Sequence, residues 1–561
     1  MNKQLACVIL LTALSACSDN TTDSTSQAPA EASEIAVYDT VLRGGLLFSG
    51  ADELPVEGDI AITGQLIAAV GELGEFTAKE VIDVSGLAIT PGFIDIHSHA
   101  LDDNRDQGIF GWPDAENLIR QGVTTVIGGN DGGSPLPLSD TFDAIAALPA
   151  AVNFGSYIGH GSIRGLIVGE DDRPATEEEM QGMRDQVALG MQQGAFGLSS
   201  GLIYAPGRFA STEEVIDLAR VAGEYGGMYI SHMREEGLGL LDSVAETIRI
   251  GEEGGLPTQL THHKVVGAPM WGSSLESLRL VDEAIARGVD VSIDQYPYTA
   301  SSTNLQILFP GWALDGGREA LLVRLADATQ RARLRNDIVY NIEVDRGGND
   351  PANVVLVGCP HDATLNGLNL SEVLRRQGVE TTKVNAADLL MDLVAAGNCS
   401  AVFHAMVEED IHNIMRHPRT MIASDGGIEG PSDRAVHPRN YGTFARLIGH
   451  YARDLGIIPV HTAIHKVSGM PADRLKMTHR GRLVAGAVAD IAVLNIAEVN
   501  ERTSFADPHQ YAEGAVHVFV AGQAVLKDRT MTGARPGLIV RSTDVRSTDV
   551  QSTNVQSTDV Q

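Results

Sequence analysis

The sequence predicts an α/β chain: a (β/α)8 TIM-like barrel, a small β-sandwich module built from both chain ends, and an inserted subdomain between barrel strands 7 and 8. Three observations carry this. Between Pro91 and about Thr478, eight short apolar runs alternate with helix-sized segments, the pattern of parallel strands joined by crossover helices. Short β-rich runs with turn signals fill Glu34 to Ala88 and return near the other end as GRLVAGAVADIAVLN and AVHVFVAGQAVLKD. The interval from Tyr298 to Met421 is too long for one helix and its loops, and it holds the helical stretch WALDGGREALLVRLADATQRARLRNDIVYNIE.

Taken in order, residues 1–16 read as a signal peptide, with Lys3 ahead of an apolar run from Leu5 to Ala16 that is too short to span a bilayer. The run ends Leu14-Ser15-Ala16-Cys17, which resembles the lipobox of bacterial lipoproteins and makes Cys17 the expected lipidation site. Residues 17–36 are polar and read as a tether. The β module is expected over 37–90 and 480–537, the barrel over 91–479, and the insert over about 305–385. Residues 538–561 end in RSTDV-type five-residue repeats, too polar to bury a core, and are expected to be a disordered tail. The expected location is the bacterial cell envelope: a periplasm-facing lipoprotein, in the outer membrane because Ser18 gives no inner-membrane retention signal.

Composition narrows the function. The 561 residues carry 41 Lys plus Arg against 73 Asp plus Glu, a net charge of −32, which argues against a nucleic-acid partner. The only membrane contact expected is the N-terminal lipid. Of four cysteines, Cys7 and Cys17 fall in the signal, which leaves Cys359 and Cys399 able to pair in an oxidising compartment. No CxxC is present, so a zinc ribbon is out.

The chemistry concentrates at the expected strand ends. In Ile94-Asp95-Ile96-His97-Ser98-His99, strand alternation puts His97 and His99 on one face, an arrangement suited to zinc or a similar metal. His232 in YISHMREE, the pair His262-His263 in QLTHHKVVG and Asp425 in IASDGG stand at the ends of later runs. His160 in IGHGSIRG reads as structural, as do His404, His412 and His417 in or beside a helical stretch.

Together, PGFIDIHSH, HMREE, THHK, DQYPYTASST, SDGG followed by HPRNYGTFAR, and GRLVAGAVADIAV resemble the amidohydrolase superfamily, and within it the N-acyl-D-amino-acid deacylases, or D-aminoacylases. The resemblance covers roughly Val41 to Gly537. It implies one or two Zn2+ ions held by His97, His99, His232 and His262, with His263 behind them. It implies Asp425 as general base, and Lys264, Tyr296 and Arg439 as groups that hold the substrate carboxylate. In that family a Cys in a VxGNCG-like turn completes the ligand set. Here the run is VIGGNDGG, with Asp131 at the Cys position. Asp131 either ligates metal in a more oxygen-rich site or only caps a Gly turn.

The activity implied is zinc-dependent hydrolysis of the amide of a small-molecule N-acyl-amino acid, of D configuration, to a carboxylate and a free amino acid. Two alternatives stand beside it: an amidohydrolase acting on a dipeptide or cyclic amide, and a non-catalytic binding lipoprotein with a degraded metal site.

Overall fold

A computed structural model of the chain describes residues 35–101, 106–432 and 434–544. The signal peptide, Cys17, most of the tether and the last repeats lie outside the described residues. Among the described residues no helix is long and apolar enough to cross a membrane.

The molecule is α/β. Phe93–Asp95 pairs in parallel with Val123–Gly128, which pairs with Asn153–Ser156. Ile158–Gly159 then continues to Gly197–Gly201, Met228–His232, Thr258–Leu260, Val291–Gln295 and Thr420–Ile422, each parallel to the last. The succession returns to its start where Gly426–Gly427 pairs with Ser98–His99. Most of these strands are buried along their whole length, which is why they read as unbroken apolar or small-residue runs. The helices between them start on capping signals: Thr176 and Glu179 form a capping box for Glu177–Gln192, and Ser211 caps Thr212–Glu224.

The two chain ends share one nine-stranded sheet. Ala88–Pro91 lies between Ala36–Leu47 and the C-terminal strand Ile491–Leu494, antiparallel to the latter. Leu42, Ile60, Ile62, Ile89, Ile491, Val493 and Phe519 meet in its core.

Between Gln295 and Thr420 the chain builds a separate body with its own apolar core. Its three antiparallel strands are Ser301–Asn304, Ser400–Phe403 in the middle and Val354–Gly358. Helices Ala328–Val344 and Lys383–Ala396 pack with them, and Cys359 and Cys399 are joined by a disulfide. This body reaches beyond 305–385 on both sides: its first strand, Ser-Ser-Thr-Asn, carries no apolar signal, and the strand that pairs with it, Ser400–Phe403, comes later in the chain.

The chain after 537 corrects an expectation. Leu538 N donates to Asn153 Oδ1, Ile539 bridges to Phe154, Val540 N donates to Phe154 O, and Val540 is buried. Three apolar residues ahead of the repeats are enough to seal this segment against the strand Asn153–Ser156.

Candidate metal centre

The polar ends of the parallel strands converge on one cluster. His97 and His99 follow Phe93–Asp95, Asp131 follows Val123–Gly128, His232 ends its strand, His262 follows Thr258–Leu260 and Asp425 follows Thr420–Ile422. One ligand atom from each of His97, His99, Asp131 and Asp425 falls within 4.8 Å of the others, and the same holds for Asp131, His232 and His262. Asp131 belongs to both groups. Its Oδ1 is 3.4 Å from His97 Nε2 and from His262 Nε2, and its Oδ2 is 3.4 Å from His99 Nε2 and 3.6 Å from His232 Nδ1.

The turn around Asp131 is satisfied without its side chain. Gly132 N donates to Ser199 Oγ and Gly133 N to Asn130 O, so the carboxylate is aimed at the histidines rather than spent as a cap. Asp131, His262 and Asp425 all have left-handed backbone, with φ of 53°, 34° and 49°. Such conformations cost energy in residues other than Gly and persist where the surrounding structure holds a functional geometry.

Burial opposes charge throughout this cluster. At His97 the carboxylates of Asp131 and Asp294 outweigh it and hold the ring's pKa well above its ordinary value. At Asp131 burial is outweighed by His97 and His262, and at Asp425 by Arg439, His262 and His97, so both carboxyls sit far below the usual range. Burial pushes His232 down to about 4, against the pull of Glu236, which leaves a neutral imidazole with a lone pair to offer. His97 Nε2 and Asp131 Oδ1 are buried without a hydrogen-bond partner. Four imidazoles, two ionised carboxylates and orphaned buried donor atoms that face one another fit a divalent cation such as zinc.

Asp425 also pairs with Arg439, Oδ2 to Nη1 2.6 Å. Lys264 Nζ and Arg439 Cζ lie 5.4 and 5.0 Å from the centre of the Tyr296 ring, so the three expected carboxylate-holding residues do meet. All of them line a cavity of about 920 Å3 whose wall also carries the candidate ligands His99, Asp131, His232, His262 and Asp425. His263 points away, to Ser277 Oγ at 2.8 Å. His160 is buried against Glu214, 3.0 Å away, and His417 pairs with Asp282.

Sequence reasoning missed three neighbours. Asp294, in the DQYPY motif, accepts from His262 N at 2.6 Å and approaches His97 Nδ1 at 3.5 Å. Tyr204 sets its ring 4.7 Å from that of His232 and lines the cavity. Glu236, fully buried, carries Lys264 Nζ on Oε1 at 2.6 Å. Its place four residues after His232, within HMREE, was the available signal.

The chain matches the Amidohydrolase family over residues 80–526. It is 36% identical to the D-aminoacylase of Alcaligenes xylosoxydans xylosoxydans over 90% of this chain and 98% of that one. A solved structure of D-aminoacylase with a binuclear metal center superposes with a TM-score of 0.75 at 32% identity, covering 90% of this chain and 100% of the other. The N-acyl-D-glutamate deacylase of Bordetella bronchiseptica, solved with zinc and a phosphonate inhibitor that mimics the tetrahedral intermediate, gives 0.76 at 28% identity, covering 90% and 99%.

Proposed function

Since the chain belongs to the amidohydrolase family, we propose that it is a zinc-dependent hydrolase of N-acyl-D-amino acids, releasing a carboxylate and a free D-amino acid. The observation that carries this is the meeting, in one cavity, of the His/Asp cluster with Lys264, Tyr296 and Arg439. The relatives named above act on, or are inhibited as enzymes of, the same bond class. In this reading, with Asn153–Ser156 and Ile158–Gly159 counted as one strand and Ser98–His99 and Gly426–Gly427 as extensions of the first and last, the parallel strands are the eight of a (β/α)8 barrel, and the nine-stranded sheet, folded on itself, is the sandwich module.

His97, His99, Asp131, His232 and His262 would hold the metal, Asp131 belonging to both groups of candidate ligands. Zinc held there supplies Lewis acidity, polarising the amide carbonyl and easing deprotonation of water near neutral pH. Asp425 is the proton carrier. Arg439 occupies Oδ2, which leaves Oδ1, the oxygen facing the histidines, to take the proton of the attacking water and return it to the departing amine nitrogen. Tyr296 and the unpartnered Nε of Arg439 receive the amino acid's carboxylate. Lys264 adds positive charge at that end while its ammonium stays on Glu236.

For location, the reading is a lipoprotein anchored through Cys17 and facing the periplasm. The LSAC run and the Cys359–Cys399 disulfide, a bond that persists in oxidising compartments, support it.

The test is zinc content and amine release measured on the same purified sample, with N-acyl-D and N-acyl-L substrates side by side. Zinc together with amine from D substrates is expected, with both lost on chelation and restored by added zinc. Zinc without amine release from either enantiomer overturns the substrate class, and failure to hold zinc overturns the metal reading.

A further inference from the structure

Glu236 sits behind two candidate ligands at once. His232 turns Nδ1 and His262 turns Nε2 toward Asp131. The remaining nitrogens lie on the Glu236 side: His262 Nδ1 is 3.1 Å from Oε1 and 2.6 Å from Lys264 Nζ, and His232 Nε2, which has no hydrogen-bond partner, is 3.6 Å from Oε2. A carboxylate on the outer nitrogen of a ligating His fixes the ring's orientation and tautomer, and its loss typically costs about 10- to 100-fold in metal affinity. Here one carboxylate stands beside two rings, at hydrogen-bond distance from His262 and at charge-pair distance from His232.

Oε1 of that carboxylate is held by Lys264, two residues from His262. Oε2 is held from the inserted body: Arg346 Nη2 donates to it, and Arg346 is itself buried. Arg346 follows helix Ala328–Val344, and its loop reaches the site over two glycines. A Cβ on Gly267 would lie 2.3 Å from Val344 O, and one on Gly237 would lie 2.9 Å from Asp345 Oδ1. The close approach therefore needs a residue without a side chain at Gly267, where the near atom is backbone and φ is +85°, whereas at Gly237 the Asp345 carboxylate could shift.

We infer that Arg346 is a positioning residue: docked from the insert, it fixes the Glu236 carboxylate and through it the orientation of His232 and His262. Without Arg346, Oε2 has no cation, Lys264 alone holds Glu236, and the carboxylate turns away from His232. The insert thus contributes to metal affinity without supplying a ligand. This rests on the metal site proposed above.

The experiment is a double-mutant cycle on zinc affinity, read by competition with a chromophoric chelator, using the wild-type protein, Arg346→Met, Glu236→Gln and the double variant. Each single variant should lose about 10- to 100-fold in affinity, and the double should be no weaker than Glu236→Gln alone, within about twofold. Arg346→Lys keeps a buried cation and so keeps the insert docked. Carried through the same cycle, it should show a smaller loss that also vanishes beside Glu236→Gln, which holds the test open if Arg346→Met does not fold. Losses that multiply in the cycles overturn the inference. So does a raised KM with unchanged zinc affinity, which would make Arg346 a substrate contact. Wild-type protein that binds no zinc refutes the site itself, a separate outcome.

Discussion

Asp425 and Arg439 form a buried ion pair, Oδ2 to Nη1 2.6 Å, across a loop of fourteen positions. The pair leaves one carboxylate oxygen toward the histidines, and removing the charge while keeping the shape isolates the proton transfer proposed for it. Asp425→Asn should lower kcat by about 10²- to 10⁴-fold with bound zinc largely retained. Steady-state kinetics and metal analysis on the same variant check this, and an unchanged kcat rules Asp425 out as the base.

Asp131 is the residue both ligand groups share. Asp131→Asn keeps the size but loses the charge that balances His97 and His262, so zinc retained after dialysis should fall. Asp131→Cys, which puts a thiolate donor at the same turn, should retain it. Equal zinc in wild type and Asp131→Asn would mean that the carboxylate is not a ligand.

The disulfide ties the inserted body across 40 positions. Chain-entropy reasoning puts its contribution at up to about 4 kcal/mol. Cys359→Ser with Cys399→Ser should therefore let this body unfold ahead of the parallel strands. Hydrogen exchange resolved by segment reads this, and uniform protection in both proteins would contradict it.

Lys466 is buried, with Nζ donating to the carbonyls of His417 and Thr420 at 2.8 and 2.7 Å. Burial lowers its pKa to about 8, against an ordinary 10.5. Below pH 8 both folded and unfolded chains carry the proton, and the folded form bears the full cost of a buried charge. Between pH 8 and 10.5 the unfolded chain binds more protons, so this group makes stability rise with pH. The wild-type Tm should gain on that of Lys466→Met across this window. A constant difference between the two would show that the lysine does not titrate there.

His97, His99, His232, His262 and Asp425 were legible because each stands where an apolar run stops, and strand geometry alone sends such residues to one end of a parallel sheet. Asp131 stood out because it replaces the expected Cys. Glu236 offered only its spacing from His232: in HMREE it reads as one more acid in a loop, and its partner Arg346 stands 110 positions later. Asp294 was hidden likewise, since its partners His97 and His262 come from two other strands. Residues that bind a ligand announce themselves locally, whereas those that hold the binders in place are defined by contacts between distant segments.

The sheet shared by the two chain ends has a consequence for biosynthesis. Thr90 and Ala492 pair directly although 402 positions separate them, so Ala88–Pro91 waits for its neighbour until nearly the whole polypeptide has left the ribosome. Until then it presents an unpaired strand edge, the kind of template on which chains aggregate. A premature stop anywhere before Ile491 yields a product in which Ala88–Pro91 never gains this partner.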